Sequence, residues 1–277
     1  MEAARATEHS DVLDYIFRGR AEYSNPPTRK RYAEQIHWFE LAFAIAPRSV
    51  EAQGELAAVL AARVLDQMAD SADLDLERAE ALAGRALAAS PRSALAHFAK
   101  AQVLRAQGRP EEAIPEYETV LSINRNWVFV TSTLGWRKFW TGSIDQAMGF
   151  FEQAIRLSPR DPDIGLTHFR IGLVHLAQSR TEEAIRWLEK ARSAIPEHPN
   201  ARAALASAYA LEGEIDRGAA ELAEARRLVG DDRYSSIARL KDTGYIGMLG
   251  YFGAPKIRAL LELTYFVGLR KAGMPER

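Results

Sequence analysis

The histidines and the acidic residues are the side chains in this sequence that could carry out catalysis or bind a metal. The chain has six histidines and no cysteine, which excludes disulfides, thiolate metal sites and cysteine nucleophiles. His168 and His175 are seven residues apart and could share a helix face, but the further ligands of a metal site are not evident. No Gly-x-Ser-x-Gly segment provides an exposed nucleophilic serine. We therefore expect a protein that is not an enzyme, with no cofactor and no metal site.

Two acidic patterns have simpler explanations than catalysis. Glu182-Glu183 lies where a helix is predicted to begin, and negative charge in a first turn is stabilised by the helix dipole. The stretch at residues 69–77, ADSADLDLE, lacks the glycine and the spacing of a calcium-binding loop. We expect this stretch to form a solvated loop.

The charge balance argues against nucleic-acid and membrane partners. The chain has 36 basic and 37 acidic residues and a formal net charge of −1, so no field of one sign would attract nucleic acid or an anionic bilayer. The first ten residues, MEAARATEHS, contain no apolar core of a signal peptide. No apolar run approaches the roughly 20 residues of a membrane-spanning helix. These features predict a cytoplasmic protein.

A 34-residue repeat organises the chain. Residues 94–127 and 128–161 are two copies of one unit, with small or aromatic residues at matching places. The equivalent pairs are Gly108 and Gly142, Ala113 and Ala147, Tyr117 and Phe151, and Val120 and Ala154. The small residues would let two antiparallel helices approach closely, and the aromatic residues would fill the space beside the crossing. One such helix pair cannot bury its own apolar face, so the pattern predicts a stacked array.

The same pattern extends along most of the 277 residues, which we interpret as a single repeat domain. The predicted segments are a divergent first helix pair at 11–47, a lengthened repeat at 49–91, repeats at 94–127, 128–161, 165–198 and 199–229, and a cap at 231–277. Asp11, Thr28 and Ser49 are predicted to cap helices. Pro110 is placed at a first helical position. Gly244, Gly247, Gly250 and Gly253 disfavour a regular helix, and one final helix is predicted over 255–273.

This pattern of small residue, Gly, Ala, aromatic and Ala resembles the tetratricopeptide repeat family, most clearly from Ala94 to Arg227. The resemblance implies an all-α fold, a right-handed superhelical solenoid of antiparallel helix pairs with a C-terminal capping helix. It also implies that the first helix of each pair lines a concave groove. A protein or peptide segment is the partner that such a groove implies.

The first helices carry an aromatic and aliphatic stripe on the face that would line this groove. We call these residues the candidate groove: Phe98, Gln102, Arg105, Phe129, Ser132, Trp136, Phe139, Trp140, Phe169 and Leu173. Two interpretations stay open. The stripe is a binding surface for a partner, or it packs against the next repeat or the chain's own C-terminal segment.

A narrower resemblance concerns the two ends of the chain. Residues 18–47 and 231–276 resemble the repeat region of multidomain bacterial signalling proteins, where it follows a class III adenylate/guanylate cyclase domain or a winged-helix domain. Neither domain is present in this sequence. The alternative to an interaction scaffold is therefore a regulatory module of a cyclase-type signalling protein. Self-association through the terminal faces is a third hypothesis.

Overall fold

The computed structural model describes residues 2–24, 27–229, 232–243 and 253–277, with side chains except at 2–10 and 24. Throughout these residues the backbone forms helices and turns without strands, as the all-α class requires. The helices in chain order are α1 (Glu2–Ala21), α2 (Arg29–Ile45), α3 (Val50–Leu65), α4 (Ala72–Ala89), α5 (Ala94–Ala106), α6 (Ala113–Ile123), α7 (Val128–Trp140), α8 (Ile144–Leu157), α9 (Ile164–Ala177), α10 (Thr181–Ala194), α11 (Pro199–Leu211), α12 (Ile215–Val229), α13 (Ile237–Asp242), α14 (Pro255–Leu263) and α15 (Tyr265–Lys271). A short 3-10 helix follows α1 at Glu22–Ser24.

The chain divides into two compact units, unit 1 at Met1–Val130 and unit 2 at Thr131–Arg277. In unit 1, α1 packs on α2, α3 packs on α4, and α5 packs on α3 and α6. In unit 2, α9 packs on α10, α11 packs on α12, and α15 packs on α11. These are helix pairs of the tetratricopeptide type. The organisation as a single domain stays a prediction.

Tight turns close the helix pairs. Gly108 and Gly142 have φ of +74° and +91°, a left-handed conformation that favours glycine after a helix. The amide of Arg109 donates to the carbonyl of Leu104 at 2.8 Å, which satisfies a carbonyl left free by the helix end. The predicted caps at Thr28 and Ser49 are confirmed, because their side chains accept hydrogen bonds from backbone amides three residues later.

Two expectations near the N-terminus are wrong. Helix α1 begins at Glu2, so Asp11 lies inside the helix and does not cap it. The residues before Asp11 include Ala, Glu and Arg, which are good helix formers. The acidic stretch at 69–77 is largely helical rather than a loop, since α4 begins at Ala72. Arg63 Nη2 and Nε donate to the two carboxylate oxygens of the buried Asp75 at 2.6 and 2.8 Å, and this ion pair fixes the start of α4.

Two further helix boundaries differ from the prediction. Helix α6 begins at Ala113, so Pro110 precedes the helix. The final helix over 255–273 is two helices, because the backbone of Thr264 leaves the helical region at φ −123° and ψ −78°. Thr264 Oγ1 donates to the Leu260 carbonyl at 2.7 Å. This hydrogen bond satisfies a carbonyl at the end of α14 and accompanies the break.

Gly244, Gly247 and Gly250 lie outside the described residues. None of the helices in the described residues combines the length and the apolar character needed to cross a bilayer.

Candidate functional site

Small residues set the distance between the helices of a pair. A Cβ built on Gly135 of α7 would lie 2.9 Å from Cε1 of Phe151, and one on Gly172 of α9 would lie 2.6 Å from Cγ of Leu188. Both distances are shorter than van der Waals contact, so larger residues would push the helices apart. The second helix of each pair therefore covers one face of the first helix. Candidate groove residues also contact second helices, since the Tyr117 hydroxyl of α6 donates to Gln102.

In unit 1, Phe98 and Phe129 form an aromatic cluster with Trp127. The ring centroid of Phe98 lies 4.8 Å from that of Trp127 and 5.9 Å from that of Phe129. Contacts at these distances are attractive, with Phe98 and Phe129 in an edge-to-face arrangement. Phe98 is buried and Trp127 half-buried, whereas 39% of Phe129 is exposed. The cluster is therefore preformed and presents one ring to solvent.

A polar network follows this cluster along α5. Tyr117 Oη donates to Oε1 of the buried Gln102 at 2.9 Å, and Arg105 Nη1 donates to the same oxygen at 2.5 Å. The Arg105 guanidinium is half-buried, and its Nε is buried without a hydrogen-bond partner among the described residues. Both partners of Nη1, Gln102 and Tyr117, are uncharged. The network thus holds the Arg105 guanidinium in place through uncharged partners.

In unit 2, the candidate groove residues are buried among one another. Trp136 stacks on Phe139 at 5.6 Å and meets Trp140 edge-to-face at 5.1 Å. Phe169 of α9 lies 6.0 Å from Trp136. These four rings and Leu173 are each at most 3% exposed. They form part of the core of unit 2.

The remaining candidate groove residue of unit 2, Ser132, joins α7 to α9. Its hydroxyl lies 2.8 Å from Oγ1 of the buried Thr167 and accepts a hydrogen bond from Arg170 Nη1 at 2.6 Å. The Arg170 guanidinium also lies over the Trp136 ring, 5.7 Å from its centroid. Ser132 and Thr167 are buried, so this hydrogen-bonded group stabilises the contact between the two first helices.

The C-terminal segment covers first helices of unit 2. The amide of Ala254 donates to the carbonyl of Trp140 at 2.8 Å, α14 contacts α9, and α15 packs along α11. Ser207 of α11 donates to the Tyr265 carbonyl at 2.9 Å. A Cβ on Gly268 would lie 2.1 Å from Ser207 Oγ and 2.3 Å from its carbonyl oxygen. Of the two interpretations of the stripe, packing within the chain describes the candidate groove residues of unit 2: Phe169 of the next repeat contacts Trp136, and the C-terminal segment contacts Trp140.

Sequence reasoning missed two residues of these faces. Trp127, the last residue of the first copy of the repeat, contacts Phe98, and Arg170 contacts both Ser132 and Trp136. Trp127 lies two residues before Phe129, and this proximity is the one signal that could have included it.

His198 and His168 make structural contacts. His198 Nδ1 accepts a hydrogen bond from the Ala201 amide at 3.2 Å and so caps α11, and burial, with Arg170 nearby, lowers the pKa of His198 to about 4. Burial also lowers the pKa of His168, which contacts Trp187, and of His175. Within the described part of the chain, no group of three or more His, Asp or Glu side chains is arranged to hold a metal ion.

These observations define the class of the protein. It is an all-α protein built from helix pairs of the tetratricopeptide type, with small residues at the helix crossings and a C-terminal segment along the first helices of unit 2. Two parts of the chain, residues 71–126 and 175–240, match family models described as tetratricopeptide repeat. Proteins with this repeat are generally scaffolds for protein interactions.

Solved structures show the same fold at low sequence identity. Pseudomonas aeruginosa PilF is 17% identical with a TM-score of 0.61, and the match covers 81% of this chain and 94% of that chain. The hetero-tetramer Cut9–Hcn1 of the APC/C gives a TM-score of 0.59 at 12% identity, over 88% of this chain and 42% of that chain. Human IFIT1, solved as a dimer with PPP-AAAA, gives a TM-score of 0.55 at 20% identity, and the match covers 74% of this chain and 47% of that chain. No curated protein sequence matches the chain.

Proposed function

We propose that this protein is a non-catalytic, cytoplasmic scaffold that binds a peptide or protein segment on the candidate groove. The observation that carries the proposal is the surface of unit 1, where the exposed ring of Phe129 lies against Phe98 on the helix that also holds Arg105. An exposed aromatic ring in a preformed cluster can anchor an apolar side chain of a partner. The nearby guanidinium can pair with a carboxylate.

The spacing along α5 describes the segment that would fit. Phe98 and Arg105 are seven residues apart, which is about 10 Å along a helix. An extended peptide rises about 3.3 Å per residue. A side chain on the aromatic cluster and a carboxylate at Arg105 would therefore lie about three residues apart in the bound segment.

The buried groove residues of unit 2 have a different part in this proposal. Trp136, Phe139, Trp140, Phe169 and Leu173 are buried in the core of unit 2 and would bind a partner only if this core opened. We place the first contact of a partner on Phe98, Gln102, Arg105 and Phe129, and we expect the residues of unit 2 to support the fold.

Selection of peptides from a random display library tests this proposal. Wild-type protein should enrich peptides with an apolar residue and an acidic residue three positions apart, and Phe129→Ala should lose this enrichment. Phe17→Ala is the matched control, because Phe17 is also an exposed phenylalanine, 60% exposed, and lies on α1. Failure of the wild-type protein to enrich any peptide, or equal enrichment by Phe129→Ala, would contradict the proposal.

The second candidate function is a regulatory module of a cyclase-type signalling protein. The resemblance of residues 18–47 and 231–276 to the repeat region of such proteins favours it. The gene sequence upstream of the codon for Met1 tests it. An in-frame cyclase domain is the expected result, and an unrelated upstream reading frame would remove this candidate.

Self-association through the ends of the chain is a further proposal for the partner. Phe17 of α1 is 60% exposed and Leu263 of α14 is 73% exposed. Light scattering across a range of protein concentrations tests it. A molar mass that rises with concentration, and rises less in Phe17→Ala, is the expected result, whereas a constant monomer mass would contradict it.

A further inference from the structure

The contact between α11 and α15 joins parts of the chain that are far apart in sequence. Ser207 and Tyr265, which share a hydrogen bond, are 58 residues apart. The helices α14 and α15 contain nine and seven residues, and the described repeat pairs contain longer helices. This segment therefore reaches α11 as an added element and not as the next repeat.

The two surfaces in this contact are complementary in shape. Helix α11 presents small residues, since Ser207 at the crossing and Ala203, four positions earlier, are both buried. Helix α15 presents Gly268 at the crossing, where the backbone of α11 leaves no room for a Cβ. A flat face of small residues allows the backbone of a second helix to approach closely.

The side chains around the crossing supply the apolar area. Tyr265, Phe266 and Leu269 of α15 are buried, each at most 1% exposed, and belong to the same core cluster as α11. Lys241 of α13 pairs with Glu262 at 2.5 Å and lies over the Phe266 ring, 4.8 Å from its centroid. Recognition on this face thus combines an apolar helix surface with charged residues at its edge, as in other helix-in-groove contacts.

The end of the chain is attached by its backbone. The amides of Ile237 and Ala238 lie in the first turn of α13, where a helix provides no acceptor for them. They donate to the carbonyls of Pro275 and Glu276 at 2.9 and 3.0 Å. Unpaired amides at a helix start are satisfied by such acceptors. The segment therefore has apolar and hydrogen-bonded contacts with α11, and ionic and backbone contacts with α13.

We infer that the first-helix face of α11 is a helix-binding site, and that residues 253–277 are its resident ligand, held within the same chain. The site fits an amphipathic helix with glycine at the crossing and aromatic or leucine side chains beside it. The same segment from a second copy of this chain has this chemistry. This inference concerns unit 2 and is independent of the peptide contacts proposed at Phe98 and Phe129.

A labelled peptide of residues 253–277 tests the inference with the full chain. Gly268→Ile should push the resident segment off α11, because a Cβ at this position has no space. The peptide should then bind the Gly268→Ile chain at least about tenfold more tightly than the wild type, measured by fluorescence anisotropy. The control is Gly149→Ile, since a Cβ on Gly149 meets no atom within 4 Å. A peptide carrying Gly268→Ile is the second control and should not bind.

Each other result would overturn the inference. Absence of peptide binding to a Gly268→Ile chain with native far-UV circular dichroism would show that the face does not bind helices by itself. Equal binding to Gly268→Ile and the wild type would place the peptide elsewhere. Loss of the helical signal in Gly268→Ile would show that the segment is an inseparable part of the repeat fold and not a ligand.

Discussion

Gly268 of α15 and Ser207 of α11 are in backbone contact, with room for no atom beyond the Gly268 Cα: an added Cβ would lie 2.3 Å from the Ser207 carbonyl oxygen. The Ser207 hydroxyl donates to the Tyr265 carbonyl at 2.9 Å one turn earlier. This relationship fixes the C-terminal segment on a first helix. The same segment also contacts Trp140, because the amide of Ala254 donates to the Trp140 carbonyl at 2.8 Å.

Gly268→Ala should lower the free energy of unfolding by about 1–3 kcal/mol, because the added methyl group overpacks the contact with Ser207. Gly149→Ala should instead be neutral or stabilising by up to about 1 kcal/mol, since Gly149 is an exposed helix residue with open space around its Cα. Urea unfolding measures both values. Equal effects of the two substitutions would contradict the close contact at Gly268.

Trp136→Ala and Trp140→Ala should each lower the free energy of unfolding by about 3–5 kcal/mol, because both rings are buried in the core of unit 2. Phe129→Ala, which removes a ring that is 39% exposed, should cost about 1 kcal/mol or less. Chemical unfolding followed by circular dichroism compares the three variants. If the tryptophan variants proved as stable as Phe129→Ala, the packing described for unit 2 would be wrong.

Glu221→Gln should destabilise the protein by about 3 kcal/mol. The buried Glu221 carboxylate pairs with Arg192 at 2.6 Å and with Arg202 at 2.9 Å, and its neutralisation leaves both cations without this partner. Glu224→Gln is the control: Glu224 pairs with Arg227 on the surface of the same helix, where an ion pair contributes little. Urea unfolding at neutral pH compares the stabilities of the two variants. A similar loss of unfolding free energy in both would contradict the role of the buried ion pair.

The protein should lose stability as pH falls from 6.5 towards 4, in part because of His198. Burial lowers the pKa of His198 to about 4, so between these values the unfolded chain binds a proton that the folded chain does not. The stability that His198 contributes is fully present above pH 6.5 and is lost as pH falls from 6.5 towards 4. At roughly 1.4 kcal/mol per pKa unit, the loss is about 2–3 kcal/mol.

His198→Asn tests this pH dependence. Asparagine can accept the capping hydrogen bond from the Ala201 amide that His198 Nδ1 accepts now, but it does not titrate. The difference in unfolding free energy between pH 7 and pH 4 should therefore be smaller in the variant. A wild-type profile that the variant reproduces over this range would show that His198 does not contribute.

The fold could be predicted from the sequence because the repeat places small residues where helices cross. Gly135 and Gly172 recur at equivalent positions, and each lies within short range of a large residue on the second helix, Phe151 or Leu188. Turn glycines such as Gly108 and Gly142 have the left-handed backbone that their position indicates. These requirements are local, so the glycine positions in the sequence are enough to predict them.

The surroundings of the candidate groove could not be predicted in the same way. An aromatic stripe at helical spacing is compatible with a binding surface and with a core, and the choice depends on whether another segment covers it. Trp140 is covered through the Ala254 amide and the backbone of Gly253, which are more than 100 residues away in sequence. The spacing of residues within the repeats does not predict such a contact.

The central claim is that unit 1 binds a peptide segment through Phe129 and Arg105, and one titration tests it most directly. The dissociation constant of the best peptide selected by the wild-type protein should be measured for the wild type, Phe129→Ala and Arg105→Met. Each substitution should weaken binding about tenfold or more, equivalent to about 1.4 kcal/mol, without loss of helical content. Unchanged dissociation constants in both variants would contradict the proposed binding surface.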